Sequence, residues 1–244
     1  MKLKFGNPNA KLKALAKALK LKLMTFSLPS GHTCPAAKDC LSKADRTTGK
    51  ITDGKHTTFR CFQASAEAIY PSLRNAVWHN YDLIQAALKQ SVKACADLIE
   101  QSLPKADIYR VHVGGDYFSK KYLQAWIEVA TRNPDKIFYS YSKSLHFFAD
   151  VARPDNLVLT ASRGGKYDEM IEQQGWKEAL VVYSEQEAID KGLEIDHDDT
   201  HAAFGSKSFA LLLHGTQPKG SVASAALSVL RKAGKGGYAK ASTN

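Results

Sequence analysis

The sequence predicts an α/β protein: a partial (β/α)6 TIM-like barrel with an N-terminal basic helix and a cysteine-bearing loop after the first strand. Three observations predict it. Short β-rich runs alternate with helical stretches six times between residues 23 and 231, which implies a parallel sheet with helices packed outside it. The residues after nearly every run are polar or glycine-rich, as in Gly114-Gly115-Asp116 and Ser162-Arg163-Gly164-Gly165-Lys166. Ligands bind at the carboxyl ends of parallel strands. A barrel gathers all of those ends around one mouth, whereas a flat sheet gathers only the ones at its switch point.

The elements follow in order. Asn7-Pro8-Asn9 reads as a helix start, with Leu12, Leu15 and Leu19 at helical spacing and Lys11, Lys13, Lys17 and Lys20 on other faces. Such a helix more often packs on its own domain as a lid than lies on a membrane. The first strand runs over 23–28 and leads into the cysteine loop. One long helix is expected over 72–102, stopped by Pro104. A second strand over 108–113 precedes Gly114-Gly115-Asp116, and Ser119 caps the next helix. The third strand covers 137–141, with a short helix at 145–151. The fourth covers 157–161, with a short helix at 168–174. The fifth covers 179–183, and Ser184 with Glu187 forms a capping box for its helix. The sixth covers 209–213, then His214-Gly215-Thr216, then a helix over 221–231. The domain reading is a basic amphipathic segment 1–22, a single domain 23–233 and a flexible tail 234–244.

Composition bounds the function. The chain has 244 residues and a net charge of +10, but residues 1–38 hold eight lysines and no acid, and residues 200–244 six basic residues and no acid. The middle, 39–199, has 20 basic and 24 acidic residues. Basic ends suit nucleic acid or an acidic partner, or simply solubility. No apolar run approaches the ~18 residues of a membrane span, and the lysine-rich start lacks an apolar signal core. A cytoplasmic protein is expected, where structural disulfides are rare.

The stretch 34–61 organises the rest. It holds Cys34, Cys40 and Cys61 in a polar sequence with Thr-Thr-Gly and Asp-Gly turns. So few apolar side chains offer little burial to fold on, and soft thiolates around a metal or cluster are the natural alternative. Zinc ligands usually come in pairs two to four residues apart. The spacing here is five and then twenty, and zinc would need His32, His56 or Cys95 as a fourth ligand. Cys95 lies on the apolar side of its helix and reads as a core residue. An iron–sulfur cluster accepts varied spacing because each cysteine holds a different corner, so a [4Fe-4S] or [3Fe-4S] cluster is the favoured content. Two further constellations compete. His197 and His201 are four apart, a metal-binding spacing on a helix but more often a polar strand end. Tyr139, Tyr141 and Lys143 alternate toward one side of a strand, as single-stranded nucleic acid stacking or a half-buried strand would require.

A cysteine loop after the first strand of a six-unit partial barrel resembles the radical S-adenosylmethionine (SAM) superfamily. The resemblance implies that three cysteines hold a four-iron cluster and that SAM chelates its open iron. It implies that Gly114, Gly115 and Asp116 stand where a Gly-Gly-Glu motif receives the SAM amino group. It places Thr160, Ser162 and Arg163 at the ribose and His214 near the adenine. The superfamily's usual cysteine spacing, three and then two, is departed from here. A second resemblance covers most of residues 20 to 235. Phe26-Ser27-Leu28-Pro29-Ser30-Gly31-His32-Thr33-Cys34-Pro35, Val111-His112-Val113-Gly114-Gly115-Asp116, Leu159-Thr160-Ala161-Ser162-Arg163-Gly164-Gly165-Lys166-Tyr167 and Leu213-His214-Gly215-Thr216-Gln217 are similar to motifs of the bacteriophage gene product 88 family. That resemblance implies a phage or prophage origin and hands over no mechanism. The expectation is therefore an iron–sulfur protein, with SAM as a further cofactor and an electron donor as partner, working in redox or radical chemistry. The alternative is a non-catalytic phage protein with a zinc-stapled loop whose basic ends bind nucleic acid.

Overall fold

A computed structural model describes residues 1–235, so most of the expected tail, 236–244, lies outside the described residues. Seven strands form one sheet: β1 (Leu23–Thr25), β4 (Ile108–Val111), β5 (Ile137–Ser142), β6 (Leu157–Ser162), β7 (Glu178–Val182), β8 (Glu194–Ile195) and β9 (Phe209–Leu212). Their order is β1-β4-β5-β6-β7-β9-β8, and every pair of neighbours is parallel. From β1 to β7 the order follows the chain; β8 then lies outside β9, so the order reverses once, at that edge. Parallel crossovers are nearly always right-handed, so the run from β1 to β7 sends its connections to one side of the sheet, and the reversed step from β8 to β9 carries its helix to the other. The sheet is open, with β1 at one edge and β8 at the other. Six of the strands were legible in the sequence. The two-residue β8 was not, because Glu194-Ile195 carries no period.

Strand alternation sorts the two faces. Tyr109, Val111, Phe138, Leu157 and Leu159 belong to the main core with Ile99, Trp126 and Val129, which are carried by α4 (Val92–Ser102) and α5 (Lys120–Arg132). The opposite, inner face presents Ile108, Tyr139, Ala179 and Phe209. Leu12 and Leu15 of α1 (Ala10–Leu19) and Ala202 and Ala203 of α8 (Thr200–Ala203) pack against it. The N-terminal helix is thus a cover on its own sheet. Asn9 caps it, accepting from the Leu12 amide at 3.0 Å. Lys11, expected on an outer face, is buried beneath it and paired with Asp199 at 2.8 Å.

The expected helix over 72–102 is two helices in place of one, α3 (Pro71–Gln90) and α4, and a further helix, α2 (Phe62–Ile69), precedes them. Pro71 starts α3, where its missing N–H costs nothing. Ser91 is extended (φ −170°, ψ 167°) and caps α4 through the Ala94 amide at 2.9 Å. The break folds α4 back into the core, where Cys95, Ala96 and Ile99 are fully buried. No glycine or proline marks it in the sequence. The short helix expected at 145–151 is one 3-10 turn, Leu145–Phe147. The caps fall where read, Ser119 on α5 and Ser184 on α7 (Glu185–Asp190), and Ser221, read as the first residue of the last helix, caps α9 (Val222–Lys232). Between β1 and α2, the cysteine loop contains a hairpin of β2 (Ser42–Ala44) and β3 (Ile51–Asp53). Ala36, Ala37 and Ala44 are buried there, and Arg74 donates to the carbonyls of Arg46 and Thr47. The loop therefore has a packed and hydrogen-bonded frame of its own, and its order alone does not require a metal.

Candidate functional site: a three-cysteine pocket at the strand ends

Cys34, Cys40 and Cys61 come together. All three line one cavity of about 160 Å³, with Gly114, Gly115 and Asp116 on its wall. Each reaches it from a different piece of structure. Cys34 follows a tight turn in which Gly31 (φ 70°) donates its N–H to the Cys34 Sγ at 3.3 Å. A Cβ at Gly31 would meet the Ser42 carbonyl oxygen at 2.3 Å, so only glycine lets the turn lie against β2. Cys40 immediately precedes that hairpin. Cys61 stands at the N-terminus of α2, its own N–H donating to Ser42 Oγ at 3.3 Å.

All three thiols are free and half-buried, facing the cavity from a dense surround. Burial pushes the Cys34 thiol well above its ordinary value, and negative charge on Asp116, Cys61 and Cys40 pushes it further. Burial and the charge of Cys40 push Cys61 up to about 11, with the Ala64 and Gln63 amides of the first turn of α2 pulling the other way. The sulfurs are thus close enough to repel one another as thiolates. A cation placed among them would favour their thiolate forms. Among the described residues, no group of three or more His, Cys, Asp or Glu side chains is arranged to hold a metal ion. Cys95 is elsewhere, fully buried in the helical core and pushed up to about 12 by that burial. His32 faces Trp78 and contacts the Ala44 carbonyl at 3.0 Å.

The other residues expected around a cofactor divide. Gly114 and Gly115 line the cavity, and each has a packing reason for being glycine. A Cβ at Gly114 would meet Gln63 Cγ at 2.0 Å, and Gly115 has φ 83°. Asp116 is also on the wall, but its carboxylate is engaged: Oδ1 accepts from the Tyr117 amide (2.7 Å) and Ser142 Oγ (2.6 Å), and Oδ2 from the Lys143 amide (2.8 Å). Burial raises its pKa while those three donors pull it down. It ties the end of β4 to the end of β5. Ser162 lines the cavity and accepts from Lys143 Nζ at 2.6 Å. Thr160 is fully buried in β6, and its hydroxyl has no hydrogen-bond partner among the described residues. Arg163 does not join the ring of lining residues: its guanidinium pairs with Glu178 and Glu172. His214 does line the cavity. Its ring packs on Phe62 (4.8 Å), its Nδ1 lies 3.1 Å from the Leu212 carbonyl, and burial lowers its pKa to about 4. A carbonyl only accepts, so Nδ1 carries the proton and Nε2 is the acceptor.

The inner end of the same cavity was not foreseen. Lys11, Arg110, Tyr141 and Asp199 line it. Asp199, left-handed at φ 69°, accepts from Lys11 Nζ (2.8 Å), Arg110 Nη1 (2.8 Å) and the hydroxyls of Tyr139 and Tyr141 (3.1 Å each). Tyr139 and Tyr141 therefore point their hydroxyls at a buried carboxylate, and Tyr139 is fully buried. A signal was present: Arg110 alternates with apolar residues in β4, and an inward arginine needs a buried acid. His197 and His201 share no helix face, because α8 begins only at Thr200; His201 meets Glu194 at 2.9 Å. No helix among the described residues is long and apolar enough to cross a membrane.

Comparison with known proteins adds lineage. A family model described as Gene product 88 matches residues 1–235. The Gene 88 protein of Mycobacterium phage L5 is 25% identical over 196 residues, covering 76% of this chain and 70% of that protein. The Gene 88 protein of Mycobacterium phage D29 is 24% identical over 167 residues, covering 58% of this chain and 62% of that protein. No solved structure matches the chain.

Proposed function

The chain belongs to the gene product 88 family, and from that premise we propose that it is an iron–sulfur protein of phage type working in redox or radical chemistry, with Cys34, Cys40 and Cys61 holding the cluster. The observation that carries the reading is the convergence of three thiols, distant in sequence, on one cavity at the strand ends. The donor set suits the group. Three soft sulfurs are free of disulfides, and the Gly31 N–H already points at Cys34 Sγ. Hydrogen bonds to sulfur are among the means by which proteins tune such clusters. The raised thiol pKa values of Cys34 and Cys61 fit a site that is electrostatically incomplete without a cation. A cluster does not ask for thiolates crowded round one point, since each cysteine holds its own iron. Bound there, it supplies one-electron transfer, while the chain orients its surroundings and limits water.

The strand order from β1 to β7, which follows the chain, supports reading the sheet as a partial barrel of the radical SAM type. The SAM part of that reading has thinner support. Asp116, the residue expected at the amino group, is occupied by Ser142, Tyr117 and Lys143, and Arg163 by two glutamates. For the nucleic-acid reading, Lys11 is withdrawn into an ion pair, while Lys13, Lys17 and Lys20 remain exposed on the N-terminal helix and its end.

The test is iron and acid-labile sulfide content, with an EPR spectrum, on anaerobically purified protein. Three or four irons per chain is the expected result. A reduced-state signal that shifts on adding SAM assigns an open iron; an indifferent signal assigns a closed cluster. Protein that stays colourless after reconstitution with iron and sulfide, or that holds one zinc, refutes the cluster.

A further inference from the structure

The three thiols are brought together by two loops at the strand ends, those after β6 and β9. The segment between Cys34 and Cys40 lies along the first. The Gly164 carbonyl accepts the amides of Lys38 (3.3 Å) and Asp39 (3.0 Å), and the Lys166 amide donates to the Ala36 carbonyl at 2.9 Å. Ala37 and Gly165 form an antiparallel bridge. Lys166 Nζ adds a bond to the Pro35 carbonyl at 2.8 Å. Gly164 is left-handed (φ 96°), and a Cβ there would stand 3.1 Å from Asp39 Cβ, so the two segments touch at a distance that suits glycine. Asp168 holds the loop in this shape. Its Oδ2 accepts the Gly164 amide at 2.8 Å and its Oδ1 the Gly165 amide at 2.9 Å.

Cys61 is placed from the second loop. Gln217, 8% exposed, closes both backbone groups of Arg60. Its Oε1 accepts the Arg60 amide at 2.8 Å, and its Nε2 donates to the Arg60 carbonyl at 3.2 Å. The same Nε2 donates to the His214 carbonyl at 3.1 Å, which ties the side chain to its own loop. Beside it, Ser65 Oγ of α2 donates to the Thr216 carbonyl at 3.1 Å. The two clamps meet at Asp39, whose carbonyl accepts the Thr58 amide at 2.8 Å and the Phe59 amide at 3.2 Å. The residue before Cys40 is therefore held from two sides, and the residue before Cys61 by one buried side chain. Cys34, Cys40, Arg60 and Cys61 line the cavity; Asp168 and Gln217 stand behind its wall.

From these contacts we infer that Asp168 and Gln217 are positioning residues of the three-cysteine site: Asp168 sets Cys34 and Cys40 through the loop after β6, and Gln217 sets Cys61 through Arg60. Outer groups of this kind orient the ligands of a metal site without touching the metal. The inference deepens the cluster reading and rests on it for what the thiols hold, but the placement of the thiols is testable without a cluster. It also gives a task to two motifs that the SAM resemblance assigns to ribose and adenine: backbone groups of both are spent on the cysteine loop.

The test is alkylation of metal-free, reduced protein by iodoacetamide, each cysteine's rate being read by peptide mass spectrometry. Burial is the first cause of the raised pKa at Cys34 and Cys61, and the thiolate is the attacking form, so both are slow in the parent. A segment set loose loses that burial. Each ten-fold gain in thiolate speeds attack about three-fold, because nucleophilicity falls with pKa. Asp168→Asn, which turns one of two acceptors into a donor facing an amide, should speed Cys34 and Cys40 by about three-fold or more and leave Cys61 near its parent rate. Gln217→Met, of similar length without either polar atom, should do the reverse. Ser91→Ala, which weakens the α4 cap far from the loop, should leave all three rates unchanged. After iron loading, the two loop variants should change the shape of the reduced-state EPR signal, and Ser91→Ala should not. The inference is overturned if each loop variant speeds all three thiols alike, as general loosening would, or if neither changes any rate. Hydrogen exchange on the parent decides the matter where a variant fails to fold: the Asp39 and Arg60 amides should be protected, and open-chain exchange at both overturns it. Iron loading with unsorted labelling sinks this inference alone, and sorted labelling in protein that stays colourless sinks the cluster alone.

Discussion

Replacing Asp199 by asparagine should be among the most damaging single changes in the chain. The side chain is 1% exposed, and four donors end on it. Asparagine keeps the shape and removes the charge, so Lys11 and Arg110 remain in the interior without their shared counter-ion. Breaking a buried pair from one side costs about 3–5 kcal/mol. For a chain of this size each kcal/mol moves Tm by roughly 2–4 °C, so the midpoint should fall by about 6–20 °C. The assay is thermal and urea unfolding of Asp199→Asn, Lys11→Met and the double variant. Lys11→Met alone should cost less, because the Arg110–Asp199 pair survives. The cycle should return a coupling of roughly 0.5–3 kcal/mol. pH gives an independent check. Burial pushes the Asp199 carboxyl up, but Arg110 and Lys11 outweigh it and hold it below the ordinary carboxylate value. A depressed acid stabilises the fold above its unfolded pKa of about 3.9, and that contribution is lost as pH falls through the folded value. The parent should therefore lose stability below about pH 4 more steeply than Asp199→Asn. A loss under about 1 kcal/mol, the size of an exposed pair, would refute a dry, coupled cluster.

The remaining predictions concern the loop and its support. Cys34→Ser, Cys40→Ser and Cys61→Ser should each cut iron incorporation at least several-fold, while Cys95→Ala should leave iron per folded chain unchanged; equal losses in all four would mean that the thiols were not sorted by the cavity. Glu67 is fully buried under the loop, accepts from the Ser30 amide at 3.0 Å, and is pushed up to about 7 by burial. A raised acid stabilises below its unfolded pKa, and that stability is lost as pH rises through the folded value, here roughly 3 kcal/mol between pH 4 and pH 8. Glu67→Gln should then match the parent at pH 4 and exceed it at pH 8, and urea midpoints at the two pH values check this. Ser91→Ala should cost about 1 kcal/mol by removing the α4 cap; chemical denaturation with no change in midpoint would show that tertiary packing alone sets the break after Gln90.

How much was legible follows from the range of the interaction that decides each feature. Six strands, the caps at Ser119 and Ser184 and the helix starts near Asn9 and Ser221 were readable, because alternation and capping act over a few residues. The split at Ser91 was not, since an extended serine inside a helical pattern is chosen by what α4 packs on. The hairpin inside the cysteine loop was hidden for a similar reason: β2 and β3 are three residues each, and they are held by distant groups, Arg60 on Asp53 of β3, Arg74 on the turn between them, and α2. The thiols of Cys34, Cys40 and Cys61 were marked by composition, and Cys95 by the apolar face it shares.

By itself, then, the sequence determined the α/β alternation, the polar strand ends, the three cysteines and the family motifs. Each is a matter of residue type and local period. Only the tertiary structure decided the strand order with its reversal at β8, the turning of Asp116 onto β5, the removal of Arg163 to a glutamate pair, and the meeting of Lys11 with Arg110 and Asp199. Lys11 and Asp199 are 188 residues apart. Nothing local distinguishes a lysine bound for solvent from one bound for the interior. The difference lies in whether the fold places an acid within about 3 Å to offset the cost of burying the charge.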